Sequence, residues 1–307
     1  MDWAMSSAAL GVGVVVGLTG MGGGALMTPV LVLGFGVNPF TAVSSDLITS
    51  AVMKPAGSIV HARRGTVNWG LVLWLMIGSV PAAFCGALII SVYGEAADAS
   101  AFVKTSLGAV LVLAAALIGL RAFVGMRNRA RERRDGTHTR RDDGEPVRVR
   151  RIPTLLVGIV GGLMVGLTSV GSGSLIIIAL MLLYPLLPMG RLVGTDLVQA
   201  VPLVIAAAIG HLLFGEVDWS IVLPLIIGSV PGTIIGARLS STLPSGIVRR
   251  ALALVLLASG LRMLDVDIPW TIAAVSLAFV AATLGWIGLR SAYGILPAAR
   301  RERKVPE

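Results

Sequence analysis

The chain repeats itself, and both copies are written in apolar residues. Val16-Gly17-Leu18-Thr19-Gly20-Met21-Gly22-Gly23-Gly24 returns, shifted by 149, as Val165-Gly166-Leu167-Thr168-Ser169-Val170-Gly171-Ser172-Gly173. At a shift of 150, Asp46-Leu47 meets Asp196-Leu197, His61 meets His211, and Trp69 meets Trp219. Gly78-Ser79-Val80-Pro81 meets Gly228-Ser229-Val230-Pro231 in the same register. Internal duplication in an apolar chain is a common way to build secondary transporters, with the solute site between the copies. Function is therefore expected where the copies keep polar residues inside apolar runs.

With 55% hydrophobic and 13% charged residues and a mean hydropathy of +0.88, the 307-residue chain is not an ordinary soluble domain. Several apolar runs can cross a hydrocarbon layer ~30 Å thick. The first residues, Met1-Asp2-Trp3-Ala4-Met5, have no basic stretch, so no cleavable signal peptide is expected. Cys85 is the sole cysteine, which excludes an intramolecular disulfide and any multi-cysteine metal cluster. The net charge of +9 resembles a nucleic-acid signal, but the arginines concentrate in 121–151 and beside other apolar runs. Sidedness in a membrane explains that placement, and no nucleic-acid partner is expected. No cofactor or metal site is expected either. The expected partners are a small anionic substrate and membrane lipid, and homo-oligomerisation is left open.

The apolar segments run over 4–35, 43–62, 69–92, 101–124, 152–187, 195–214, 219–240, 246–264 and 270–289. All are expected to be helical, because lipid offers the backbone no other partners short of a closed barrel. The fold class is thus an all-α polytopic membrane protein of two homologous helical repeats. The first repeat covers 1–124 and the second, with an extra C-terminal helix, 152–291. An arginine-rich linker (125–151) joins them, and a basic tail (292–307) follows. Linker and tail read as cytoplasmic, at an inner or plasma membrane, and His138 in the linker reads as a solvated loop histidine.

The first segment of each copy is too long for one upright span, ~48 Å for 4–35, and glycines cut it in the middle. It is either a tilted broken helix or a re-entrant hairpin. Single crossings would make the repeats parallel, with nine spans. Hairpins would make them inverted and put Arg63, Arg64, the linker, Arg191, Arg249, Arg250 and the tail on one side, which the positive-inside rule prefers.

Four sets of residues are candidates for chemistry. The glycine-rich breaks come first, with Thr19, Gly22, Gly23 and Gly24 in one copy. Thr168, Ser169, Gly171, Ser172, Gly173 and Ser174 are the other copy's set. Glycine allows close backbone approach, and the helices resuming at Ala25 and Leu175 offer N–H groups and a positive dipole end to an anion. Packing through small residues is the plainer reading. The second set is Asp46 after Ser44-Ser45 and Asp196 after Gly194-Thr195. Each reads either as a helix cap or as a carboxylate facing a cavity, able to carry a proton, with Ser45 and Thr195 beside it. Lys54 is the third, a costly intramembrane cation that copy two replaces with Val204; Gln199, opposite Thr49, offers amide donors. His61 and His211 are the fourth, read as a proton-shuttling pair or as helix-end histidines meeting carbonyls. Trp69 and Trp219 read as interface anchors, and the Gly-Ser-Val-Pro runs as mid-helix breaks.

The paired Gly-rich stretches, the repeated aspartates and histidines and the Gly-Ser-Val-Pro runs resemble the sulfite exporter TauE/SafE family of membrane permeases. The resemblance covers nearly all of 8–262. It implies a multi-spanning inner-membrane permease for small anionic sulfur compounds, such as sulfite, sulfonates or sulfoacetate, or for organic acids. The expected function is alternating-access transport of such an anion, and not enzymatic. A channel or membrane subunit of a larger complex is the alternative, and no phosphate-binding loop is present to make the chain its own ATPase. An intramembrane serine hydrolase built on Ser172 or Ser174 with His211 is a weaker one. Val170 stands where a rhomboid-type Gly-x-Ser-Gly needs its first glycine, and copy one has Gly23 and Ala25 at the serine positions.

Overall fold

The apolar segments fold as helices, and a computed structural model describes residues 2–19, 23–63, 65–94, 98–135, 148–185, 187–239 and 245–292. The first half holds α1 (Trp3–Thr19), α2 (Gly24–Pro29), which runs on as a π-helical turn (Val30–Gly34), α3 (Pro39–Arg63), α4 (Trp69–Gly94) and α5 (Asp98–Asp135). The second holds α6 (Arg151–Thr168), α7 (Leu175–Leu183), α8 (Met189–Phe214), α9 (Trp219–Leu239) and α10 (Ser245–Met263), and α11 (Ile268–Ala292) follows. Among the described residues there is no strand, and six helices are long and apolar enough to cross a membrane: α4, α5, α6, α8, α9 and α11. The chain is a multi-pass membrane protein. Gly20, Met21, Gly22, Arg64, His138 and the basic tail lie outside the described residues.

Short side chains set the helix starts. Asn38 accepts the Phe40 N–H at 2.9 Å ahead of α3, Asn68 accepts the Leu71 N–H at 3.1 Å ahead of α4, and Asp218 accepts the Ser220 N–H at 2.8 Å ahead of α9. Each relieves one of the unpaired donors of a first helical turn. Trp69 and Trp219 open α4 and α9 and remain largely exposed, as interface anchors do.

Each half lends its first helix to the other half. Gly228, Gly232 and Gly236 of α9 press on the backbones of Ser6, Leu10 and Val14 of α1. In the same manner Gly158, Gly162 and Gly166 of α6 press on Leu75, Ser79 and Ala83 of α4. A Cβ at Gly232 or Gly162 would stand 2.3 Å from the facing carbonyl oxygen, so only glycine permits this approach. Both contacts advance together in sequence, so α1 runs parallel to α9 and α6 parallel to α4. By the same reasoning α3 runs parallel to α9 (Thr41 beside Glu216, just ahead of α9, and Met53 beside Thr233), and α8 parallel to α4 (Gln199 beside Ser79, Gly210 beside Ala87). The equivalent helices α3 and α8 cross the centre antiparallel, with Ser44 beside His211 and His61 beside Gly194. The fifth helices of the two halves, α5 and α10, also run antiparallel, with Gly108 against Gly260 and Leu264, and Val112 against Gly260. Leu47, Leu71, Leu75, Ile176, Leu180, Leu192, Leu203 and Val222 fill the core around this cross.

Three local expectations change. The helix α5 carries on to Asp135, into the segment read as linker, because Met126 to Arg134 is rich in good helix formers (Met, Arg, Ala, Glu). Gly78–Pro81 and Gly228–Pro231 do not interrupt α4 or α9, whose helices run through them. Asp46 and Asp196 do not open their helices: α3 begins at Pro39 and α8 at Met189, so both carboxylates sit about two turns inside and cap neither.

Candidate functional site

The two glycine-rich breaks meet. In the second half, Ser169 ends α6 in the left-handed region (φ 58°), and Gly171 (φ 141°) and Gly173 (φ 89°) carry the chain through a turn that a residue with a side chain would strain. The turn is buried, with Ser169, Val170, Ser172 and Ser174 all shielded. In the first half, Gly23 and Gly24 start α2 in the same interior, and the Gly24 backbone lies directly on that of Ser169: a Cβ there would fall 1.9 Å from the Ser169 carbonyl oxygen. The donors at both restarts are partly used, since Gly23 O accepts from Leu26 and Met27, and Gly171 O from Leu175 and Ile176.

Around this junction the central helices present charge. Lys54 of α3 is buried, and its Nζ donates to Ser172 Oγ of the other half at 2.6 Å. Both Asp46 and Asp196, each 1% exposed, lie close enough to act on that ammonium. Thr28 of α2 donates to Asp46 Oδ2 at 2.9 Å. On the second half, Gln199 Nε2 donates to Asp196 Oδ1 at 3.0 Å, and the Gln199 Oε1 accepts from Ser79 of α4 at 3.2 Å. The Gly173 amide and Arg121 of α5 also act on Asp196. One charged centre therefore draws on α2, α3, α4, α5, the turn after α6, and α8.

Several polar atoms of this centre are left over. Asp46 Oδ1, Asp196 Oδ2 and the hydroxyls of Ser45, Ser50 and Ser169 are buried and complete no hydrogen bond of ordinary geometry, although Ser50 and Ser169 flank Asp46 closely enough to act on it. Buried polar groups are rarely left so.

Other candidates are occupied in holding the scaffold. Thr19 Oγ1 donates to Val15 O at 2.8 Å and Thr168 Oγ1 to Met164 O at 2.7 Å, each within its own helix. Thr195 Oγ1 accepts the Asn68 N–H at 3.0 Å and so ties α8 to the start of α4. His211 is fully buried; its Nδ1 lies 2.8 Å from Ser44 Oγ of α3 and its Nε2 2.8 Å from Gly166 O of α6. The carbonyl can only accept, so Nε2 carries a proton. His61 is half-exposed, 3.0 Å from Thr66 Oγ1, at the opposite end of the α3–α8 cross. The two histidines do not meet. The sequence reading missed Thr28, Ser50 and Ser79. Ser50 stands one turn after Asp46, and Ser79 lies in the repeated Gly-Ser-Val-Pro run, so their spacing could have exposed them.

Among the described residues no cluster of histidine, cysteine and acidic side chains could hold a metal ion. An apolar groove of about 500 Å³ between α4 and α6, lined by Ile77, Pro81, Cys85, Leu155 and Ile159, lies apart from the charged centre.

Comparison with known proteins identifies the kind of protein that carries this arrangement. The family model of the sulfite exporter TauE/SafE matches residues 5–263. A probable membrane transporter protein of Bacillus subtilis, YjnA, is 38% identical over 254 residues, 82% of this chain and 96% of the relative. A second from the same organism, YdhB, is 26% identical over 259 residues, and a probable membrane transporter protein of Xylella fastidiosa is 26% identical over 251. No solved structure matches.

Proposed function

We propose, from the premise that this chain belongs to the sulfite exporter TauE/SafE family and is a membrane transporter, that it carries a small anion through the junction of its two glycine-rich breaks. The anion would be a sulfur compound such as sulfite or a sulfonate, or an organic acid. The observation that carries this reading is Lys54, a buried ammonium bridging from the first half to the Ser172 hydroxyl of the second. A cation at that depth is expensive unless it is needed, and here it stands where unwound backbone and unused hydroxyls gather.

In this reading the anion takes the Lys54 ammonium and replaces the Ser172 oxygen as its partner. Gly23, Gly24, Gly171 and Gly173 would let the backbone close on it, and Ser169, Ser174, Ser45 and Gln199 would supply donors. The opposed directions of α3 and α8, and of α5 and α10, support the view that the halves are inverted repeats. The parallel course of α1 and α3 supports re-entrant hairpins in which α2 turns back. Alternating access would then be a rocking of two bodies against each other about the α3–α8 cross. Because α1 packs on α9 and α6 on α4, the moving bodies would be those mixed pairs and not the sequence halves.

The test is a thermal-shift panel of sulfite, sulfate, sulfonates and carboxylates on the purified protein, followed by counterflow of any hit. A ligand at 100 times its Kd raises apparent stability by about 2.7 kcal/mol. The reading requires a shift with at least one anion that is lost in Lys54→Met. No shift with any of them, or an equal shift in Lys54→Met, overturns it. Counterflow separates a carrier from a channel, which gives none.

A further inference from the structure

We propose that Asp46 carries one proton into the site with each anion, so that the protein is a proton–anion symporter whose coupling residue is Asp46 and not Asp196 or either histidine. This rests on the anion-carrier reading above and deepens it. The argument is one of charge balance and of partners. The charged groups acting at the centre are Lys54 of α3, Arg121 of α5, Asp46 of α3 and Asp196 of α8. With all four ionised they cancel. An anion entering this buried space would leave one negative charge uncompensated, and a lone buried charge is costly by several kcal/mol. A single proton restores neutrality.

The surroundings choose where that proton goes. Asp196 is held as an acceptor: the Gln199 amide donates to its Oδ1, and Ser79 fixes the amide orientation by donating to the carbonyl end. Arg121 and the Gly173 amide add to the positive surroundings of Asp196. Lys54 acts on both aspartates, and each has one oxygen, Asp46 Oδ1 and Asp196 Oδ2, that completes no bond; but the hydrogen-bonding groups about Asp46 are hydroxyls alone, Thr28 on Oδ2, with Ser50 and Ser169 beside the carboxylate. A hydroxyl can donate to a carboxylate or accept from a carboxylic acid with a small rotation, so both states of Asp46 can be satisfied in place. An amide donor cannot reverse in this way. The histidines are excluded by geometry. His211 has both ring nitrogens engaged between α3 and α6, and His61 sits at the far end of the cross. The proton moves as a proton only: it is taken from water on one side, bound to Asp46 Oδ1, and released to water on the other.

The experiment uses the full chain in proteoliposomes with radiolabelled isethionate, a sulfonate that keeps one negative charge throughout the working pH range. Counterflow at equal pH on both sides reports the carrier alone. Net uptake against an imposed pH gradient, with potential clamped by potassium and valinomycin, reports coupling. The expected result is accumulation on the alkaline side of about tenfold for each unit of pH difference, as one proton per monoanion requires. Asp46→Asn is expected to lose that accumulation and to exchange isethionate at a rate independent of pH, whatever the absolute rate. Its melting temperature confirms that it is folded. Counterflow without any response to the gradient overturns the symport and leaves the anion carrier standing. Accumulation driven by a sodium gradient instead, or a loss of proton dependence in Asp196→Asn but not in Asp46→Asn, also overturns it. Absence of counterflow overturns the sulfonate-carrier reading, and the symport with it.

Discussion

The two halves of the molecule share a scaffold and differ at the places where charge is handled. Both have an aspartate about two turns into the central helix, a histidine near its end, and a glycine ladder by which the first helix packs on the opposite half. The first half alone has a buried lysine, at the position of Val204 in the second. The second half alone has Ser172 and Ser174, where the first has Gly23 and Ala25. Lys54 and Ser172 meet. The duplication thus supplies two equivalent frames, and each has kept one part of a single polar contact at their common centre. The histidines have diverged as well: His211 is a buried tie between three helices, and His61 a half-exposed partner of Thr66.

The widest effect is expected where the halves interlock. Gly162→Val would drive a branched side chain into the Ser79 backbone, with its Cβ 2.3 Å from the carbonyl oxygen. Overpacking of this severity should cost more than about 3 kcal/mol and abolish the cooperative melting transition in detergent. Gly119→Ala, where nothing lies within 4 Å of the new Cβ, should instead gain up to about 1 kcal/mol. Next comes the lysine. Lys54→Met leaves Asp46 and Asp196 without their shared cation, and the loss of one partner from a buried set costs about 3 kcal/mol, so anion exchange should fall by about 100-fold.

The histidine contrast is a smaller test. His211→Ala strands the Gly166 carbonyl and takes one of the Ser44 hydroxyl's two partners, the Phe40 carbonyl remaining, and should lower stability by about 2 kcal/mol. His61→Ala should cost less than about 1 kcal/mol, and equal losses in the two would mean that both histidines act alike. The smallest effect distinguishes the caps. Asp218 is exposed, and the Ser220 hydroxyl and N–H together hold its carboxylate below the usual carboxylate range, whereas its counterpart Asn68 is uncharged. Because the folded state depresses this value, its contribution is present above the unfolded value and disappears as pH falls through the folded one. Asp218→Asn should keep the cap and remove that slight acid-side loss, read as the difference between melting curves below about pH 4.

The membrane class, the repeat and the positions of the helices are legible in the sequence because lipid leaves an apolar segment few alternatives. Trp69 and Trp219 mark helix starts at once, and Asp46, Asp196 and Lys54 stand out as charges inside apolar runs. The partners of those charges are not legible, because they come from elements far apart in the chain: Ser172 lies 118 residues from Lys54, and Ser79 lies 120 from Gln199. Helix direction was also hidden, since hydropathy has no sign along a helix and only the pairing of Ser44 with His211 and of His61 with Gly194 reveals it. The capping reading of the aspartates came from their serine and threonine neighbours, and failed because α3 and α8 begin earlier, at Pro39 and Met189.

The lending of α1 to α9 and of α6 to α4 has a consequence for how such a molecule could arise and be taken apart. Neither half, cut free near residue 140, would have a finished surface: each would expose the helix faces that meet across the glycine ladders. Two such fragments made together in one cell should find each other and assemble without the covalent tether. By the same logic, an unfused forerunner of one repeat would have been complete only as a pair of identical subunits in opposed orientation, each lending its first helix to the other.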